Sequence, residues 1–223
     1  MNSGHQPLLF PTLRIEVLKS TPLKEHYDAL IFISANAVDY GLEVLSSLNH
    51  HHGQIFAVGA ATAKKINNYG FKVDAFPAEK ASSESLLAMK EIRQLSNKEI
   101  LIFRGKGGRE TLKESLGKNN IVEYIEVYER TQCKITPSHH EVLAQFLNND
   151  KGVITITSVE NLSTMMAMIE QINADAVQSI KHYPLVVLSE RIKIYAQSIG
   201  FNQIEVAQKT NDEGLVKAID SIS

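Results

Sequence analysis

Several things are scarce in this chain of 223 residues, and each scarcity excludes a class of protein. It has one cysteine, Cys133, so no internal disulfide can form, and the chain suits a reducing compartment. It has no tryptophan, 6 prolines and 12 glycines, a composition unlike collagen or low-complexity chains. No apolar run approaches the roughly 18 residues that a membrane span needs. The opening Met1-Asn2-Ser3-Gly4-His5-Gln6-Pro7 lacks a basic segment followed by an apolar one, so no secretory signal is read there. A surplus of one charge is missing too: Lys and Arg number 23, Asp and Glu 25, and the net charge is −2. Such a balance provides no field for holding a nucleic-acid backbone. A cytoplasmic protein with neither nucleic-acid nor membrane partners is expected, holding any anion locally through a few basic side chains and backbone N–H groups.

What is present is ordinary globular material, 43% hydrophobic and 22% charged. At about 150 residues per domain, the length suits one large domain or two small ones. Short β-branched runs alternate with amphipathic stretches, the pattern of parallel strands with crossover helices. Strands are expected at 29–34, 55–59, 72–76, 99–104, 122–128, 152–157, 185–189 and 204–207. The plan repeats. Tyr69-Gly70-Phe71 and Ile199-Gly200-Phe201 lie 130 residues apart, each glycine placed to close a helix in the left-handed region. Ser83–Leu87 matches Asn211–Val216, where Thr210-x-x-Glu213 reads as a capping box.

The repeat predicts two parallel-sheet α/β domains, one of them discontinuous: residues 1–16 with 134–223, and an inserted domain over 19–130. The alternating segments near 13–20 and 125–137 are expected to pair as a two-stranded antiparallel linker, with a ligand cleft between the domains. The second copy has fewer strands. Leu8–Val17 can supply its fourth, and a fifth is missing. Either that sheet has four strands or the chain as written lacks a βα unit before Met1. The second is expected, because Gly4–Pro7 reads like the end of a helix–strand loop.

The candidate site residues sit where strands end. Leu101-Ile102-Phe103-Arg104-Gly105-Lys106-Gly107-Gly108-Arg109-Glu110 takes a buried strand through a basic, glycine-rich turn into a helix. Glycines let a backbone approach a ligand, and a helix amino end points free N–H groups at an anion. The same stretch also reads as a tight turn with solvated cations. Ser34-Ala35-Asn36, Gly59 with Thr62, Thr157-Ser158 and Ser189-Glu190-Arg191 are similar in kind, and each also reads as a plain helix cap. Tyr128, on the wet face of an alternating strand, could reach the cleft or simply be a half-buried cross-strand aromatic. His50-His51-His52 cannot all converge on one ion, so no metal is expected. His139-His140 follows Ser138 in a capping box with Glu141, and no catalytic triad or carboxylate pair stands out.

These loops, in this order, resemble the uroporphyrinogen-III synthase family in its bacterial form. The motifs are Phe32–Val38, Val58–Ala63, the RGKGGRE of Arg104–Glu110, Val127–Arg130, Thr155–Leu162, Leu185–Arg191, Ile199–Phe201 and Val206–Leu215. The resemblance implies two flavodoxin-like domains joined by a two-stranded ladder, with the family's first βα unit absent and a gap left in that sheet. It implies a cofactor-free lyase of haem and tetrapyrrole biosynthesis that cyclises hydroxymethylbilane. Water is lost and the last pyrrole ring is inverted. It implies Tyr128 as the catalytic cleft tyrosine, Thr62 and Ser158 as hydroxyls lining the cleft, and Ser34, Ser189 and the Gly105–Arg109 loop as substrate-contacting turns. The substrate-binding set is thus Ser34, Asn36, Gly59, Thr62, Arg104, Gly105, Gly107, Gly108, Arg109, Thr157, Ser158, Ser189 and Arg191. The expected partners are a linear tetrapyrrole and, transiently, the upstream hydroxymethylbilane synthase, for a monomeric enzyme. A non-catalytic two-lobed anion-binding or sensor module is the alternative, and a flavin or nucleotide enzyme a further one.

Overall fold

A computed structural model describes residues 4–48, 52–149 and 151–222. The chain divides into two compact units, one formed by 1–14 with 132–223 and the other by 15–131.

The second unit is built on a five-stranded sheet. Its strands are β1 (Leu13–Val17), β2 (Tyr27–Phe32), β3 (His52–Ala57), β4 (Glu99–Gly105) and β5 (Ile121–Gln132), in the order β1-β5-β4-β2-β3. Strand β2 pairs in parallel with β3 and β4, and β4 in parallel with β5. Along β1 and β5, Leu18 N–H donates to Val127 O (3.0 Å) and Cys133 N–H to Thr12 O (2.9 Å). Numbers rise on one segment as they fall on the other, so that pair is antiparallel.

The expected strand at 72–76 is reduced to a single bridge, Phe56 with Ala75. Asp74 explains this. Its side chain accepts the Ile55 N–H at 2.7 Å, taking the place of a backbone acceptor, and Pro77 follows. With that bridge as the third segment, the parallel order is 3-2-1-4-5. The four parallel strands by themselves run 2-1-3-4, as in a flavodoxin-like sheet, and both orders are doubly wound with the same switch. The topological switch therefore falls between β2 and β4.

Both faces of this sheet are covered, as its uninterrupted apolar strands require. Leu30, Phe32, Leu101 and Phe103 pack with residues of α1 (Ala35–Ser47) and α2 (Ala60–Asn68). The alternate residues Ala29, Ile31, Ile100 and Ile102 pack with α3 (Ser83–Ala88), α4 (Lys90–Arg93) and α5 (Thr111–Leu116). Each large apolar side chain so buried contributes about 1.5–3 kcal/mol. Phe32 and Phe103 stack at 4.2 Å, and Gly41 lets α1 approach, since a Cβ there would lie 2.7 Å from Phe103 Cδ1.

The other unit has a three-stranded parallel sheet, β6 (Ile154–Ile156), β7 (Leu185–Val187) and β8 (Ile204–Val206), in that order among the described residues. The helices α6 (Pro137–Leu147), α7 (Val159–Ile172), α8 (Ala176–Ile180) and α9 (Glu190–Ser198) pack against one face, while α10 (Asp212–Ile222) packs against the other. The expected fourth strand does not join this sheet. Only Leu13–Val17 of the leading segment is a strand, and it belongs to the five-stranded sheet. Pro7 and Pro11 bracket residues 8–10 and offer no N–H for a ladder. Beyond β6 lies instead a cavity of about 270 Å³, walled by Leu8, Leu9 and Phe10 on one side and 153–156 on the other.

The helix boundaries show the repeat in detail. Gly70 and Gly200 have φ of +87° and +103°, as the left-handed closing position demands. Phe71 and Phe201 each donate back to the residue five before, Ile66 and Ala196, at 3.4 and 3.0 Å. Two cap assignments differ from expectation. At α6 the reciprocal pair is Thr136 and His139, not Ser138 and Glu141: Thr136 N–H donates to His139 Nδ1 (3.1 Å), leaving Nε2 to donate to Pro11 O (3.0 Å). At α10 the cap is Asn211, whose Oδ1 accepts the Gly214 N–H at 2.9 Å, instead of Thr210.

Candidate functional site

The ends of β2, β4 and β5, on either side of the switch, bring three expected residues together. Ser34 follows β2 and caps α1, its Oγ accepting the Ala37 N–H at 3.0 Å. The same oxygen lies 3.2 Å from Tyr128 Oη of β5. Gly105 ends β4 directly against the Tyr128 ring: a Cβ there would lie 2.6 Å from Cζ and 3.0 Å from Oη. Tyr40 of α1 closes the arrangement, its ring centroid 5.8 Å from that of Tyr128.

Tyr128 is not on a wet face; it is 5% exposed and belongs to the apolar cluster with Phe32 and Phe103. The cause is a β-bulge. Arg104 pairs with Glu126, but Gly105 pairs with Tyr128, so β5 carries one extra residue at Val127. Side chains on a strand alternate with period two, and one inserted residue moves everything after it to the other face. Val127 and Tyr128 therefore both enter the cluster over α1. Strict alternation, applied to the sequence, could not foresee this.

The glycine-rich turn also differs from its sequence reading. Arg104 is 2% exposed, and its guanidinium points back into its own loop. Nε donates to Gly105 O (3.2 Å), Nη1 to Glu110 Oε1 (2.8 Å) and Nη2 to Gly107 O, while the group lies 4.2 Å above the Tyr124 ring. It holds the turn together from inside and offers no outward charge. Gly105 is required by Tyr128, whereas Gly107 and Gly108 are required by their backbones, with φ of +75° and +97°. Gly107 N–H donates to Glu126 Oε1 at 3.1 Å. Lys106 and Arg109 are exposed and paired with Glu129 (2.9 Å) and Glu84 (2.7 Å). Glu129 raises the Lys106 pKa by hydrogen bonding. Glu84 is lowered, first by its own backbone N–H and then by Arg109. A cavity of about 270 Å³ opens beside this turn, with Ser82, Ser83, Arg109 and Tyr124 in its wall.

The remaining candidates are placed as follows. Gly59 caps α2 without a side chain and is packed against Ala81, where a Cβ would lie 2.4 Å from the Ala81 Cβ; Thr62 is buried in the first turn of that helix. Asn36 is half-buried in the first turn of α1. In the other unit, Ser158 caps α7 by accepting the Asn161 N–H at 3.0 Å, and Asn161 Nδ2 donates to Thr157 Oγ1 at 3.1 Å. Ser189 occupies the cap position of α9, yet its hydroxyl makes no cap bond, and Arg191 is exposed. Tyr40, Tyr124 and Glu126 were not singled out from sequence, and the alternation of β5 was the only signal for the last two. His50 and His51 lie outside the described residues, and among those described no group of three metal-ligating side chains gathers.

Parallel strands with hydroxyl and glycine turns at their carboxyl ends, on either side of a topological switch, define a doubly wound α/β protein. The chain belongs to the uroporphyrinogen-III synthase family: the family model described as uroporphyrinogen-III synthase HemD matches residues 1–217. It is 27% identical over 196 residues to uroporphyrinogen-III synthase of Escherichia coli K12, covering 86% of this chain and 78% of the relative. It is 30% identical over 169 residues to that of Salmonella typhimurium LT2, covering 74% and 65%. The crystal structure of uroporphyrinogen-III synthetase from Helicobacter pylori superposes with a TM-score of 0.69 at 20% identity, covering 95% of this chain and 91% of that one, a likeness of fold.

Proposed function

We propose that this chain is a uroporphyrinogen-III synthase, a cyclising lyase that converts hydroxymethylbilane into uroporphyrinogen III and water with inversion of the last pyrrole ring. The observation that carries this reading is the family match across residues 1–217, with its ordered set of strand-end motifs. The chemistry asks for positioning more than for a strong acid or base. A hydroxymethyl pyrrole ionises by itself, and the enzyme need only make the inverted closure faster than the direct one. Hydroxyls and peptide N–H groups suit that task, because each charge-assisted bond to a substrate carboxylate contributes about 1.5–3 kcal/mol.

In this reading Tyr128 protonates the departing hydroxyl, supported by its phenol standing at the switch point beside Ser34. The Gly107–Arg109 turn, Thr62, Ser158 and Ser189 contact the substrate's carboxylates. Arg104 acts only by shaping the turn. No cofactor takes part, and the enzyme works as a monomer that receives its substrate from hydroxymethylbilane synthase in the cytoplasm. Among the described residues no helix is long and apolar enough to cross a membrane. The test is to supply enzymatically made hydroxymethylbilane and determine the isomer formed. The type III isomer is expected, with Tyr128→Phe slowing its formation at least tenfold while the fold is retained. Type I alone from the wild-type chain would refute the function; an unchanged Tyr128→Phe rate would remove Tyr128 from it.

A further inference from the structure

A phenol that gives its proton to a leaving group becomes a phenolate, and a buried phenolate needs a donor. Around Tyr128 the supply is narrow. The Arg104 guanidinium is on the opposite face of the sheet, over Tyr124, and is committed to Gly105 O, Gly107 O and Glu110. Gly105, against the ring, has no side chain, Tyr40 lies 5.8 Å away by centroid, and the buried cluster that holds Tyr128 is apolar. The side-chain hydrogen bond of Tyr128 among the described residues is the one to Ser34 Oγ, at 3.2 Å.

Ser34 has a particular hydrogen-bond inventory. A serine hydroxyl has one proton and two lone pairs. The Ala37 N–H, at 3.0 Å, takes one lone pair and anchors the oxygen at the amino end of the 13-residue helix α1. The serine proton is then left to be aimed at Tyr128 Oη. The positive end of the helix dipole lies behind it, so a negative charge growing on Oη is favoured in place.

The geometry points to Ser34 as the positioning residue for Tyr128: it turns its hydroxyl proton onto the phenolic oxygen as that oxygen loses its own. This rests on the proposed function. The Tyr128 O–H bond breaks, its proton joins the substrate hydroxyl, and water leaves with the carbon–oxygen electron pair. The phenolate keeps its pair and accepts from Ser34 until the proton released on ring closure returns to it. Ser34 thus acts inward, through Tyr128, and not as the substrate contact that the resemblance implies.

Substitutions separate this role from the helix cap. Ser34→Thr keeps both the cap acceptor and the donor. Ser34→Asp keeps the cap but has no proton to give. Ser34→Ala loses both. Loss of one hydrogen bond to a charged group predicts a kcat lowered about tenfold to hundredfold in Ser34→Ala, with KM within about threefold. Ser34→Asp is expected to lose at least as much despite its intact cap, and Ser34→Thr to stay within about threefold of wild type. In a Tyr128→Phe background Ser34→Ala should cost nothing further. A second readout needs no turnover. In protein labelled with tyrosine ¹³Cζ, the Tyr128 resonance, identified by its loss in Tyr128→Phe, should move in Ser34→Ala and return in Ser34→Thr. Equal rates for the Thr and Asp variants, or a full Ser34→Ala loss without the phenol, would overturn the inference, as would an unmoved resonance. If the wild-type chain makes no type III isomer but the resonance moves, the function reading falls while the Ser34–Tyr128 contact stands.

Discussion

Gly105→Ala tests the packing at the centre of the site. The added Cβ would lie 2.6 Å from Tyr128 Cζ, about 0.8 Å short of the 3.4 Å at which ordinary contact begins. The phenol ring has little room to yield. Its oxygen is tied to Ser34, Tyr40 lies beside it, and it is 5% exposed. Overpacking of this kind costs about 1–3 kcal/mol. For a chain of this size that lowers the melting temperature by about 2–12 °C, at 2–4 °C per kcal/mol. A ring displaced by nearly an ångström also misplaces its hydroxyl, which predicts a loss in type III formation approaching a hundredfold. Thermal melts and initial rates measure both effects. Gly107→Ala is the control. Its φ of +75° costs a side chain about 1–2 kcal/mol, yet nothing lies within 4 Å to be pushed. Tyr128→Leu should therefore relieve most of the Gly105→Ala loss in melting temperature and none of the Gly107→Ala loss. A Gly105→Ala protein with wild-type melting and rate, or an unrelieved penalty, would refute the packing account.

Arg104→Met should lower stability by about 2–4 kcal/mol in denaturant titrations, because the Gly105 and Gly107 carbonyls lose a charged donor. Arg104→Lys should recover only part, since an ammonium cannot fork to both; an unchanged midpoint with a raised KM would show an outward-facing guanidinium instead. Asp28 is held below the ordinary carboxylate range, first by the Glu99 N–H and then by Lys98, both at 2.9 Å. Its contribution is fully present above about pH 4, the unfolded value, and is lost as the pH falls through the lower folded one. Asp28→Asn should flatten the urea midpoint against pH below about 4, and parallel curves for the two proteins would dismiss that role.

The fold was legible where local chemistry acts alone. The apolar runs of β2 and β4 announce strands buried on both sides, and the glycines at 70 and 200 announce their helix ends. Sequence position could not reveal competition from a side chain: Asp74 takes the place of a ladder acceptor and leaves a bridge where a strand was expected. The leading segment failed differently, because apolar character does not say which sheet a strand will join. At the site, the serine caps were visible as residue types. Their partners were not, since Ser34 and Tyr128 are 94 positions apart. Arg104 misled because its neighbours in sequence advertise a basic loop, while its parity along β4 turns it under the sheet.

The extra residue in β5 sets a limit on how chains of this kind can vary in length. Between Val122 and Tyr128 the count is effectively quantised. Deleting the extra residue would restore the alternation with Tyr128 still opposite Gly105, whereas one more residue would carry the phenol to the side of Tyr124. Insertions in this family should therefore crowd into the turns and spare that short stretch.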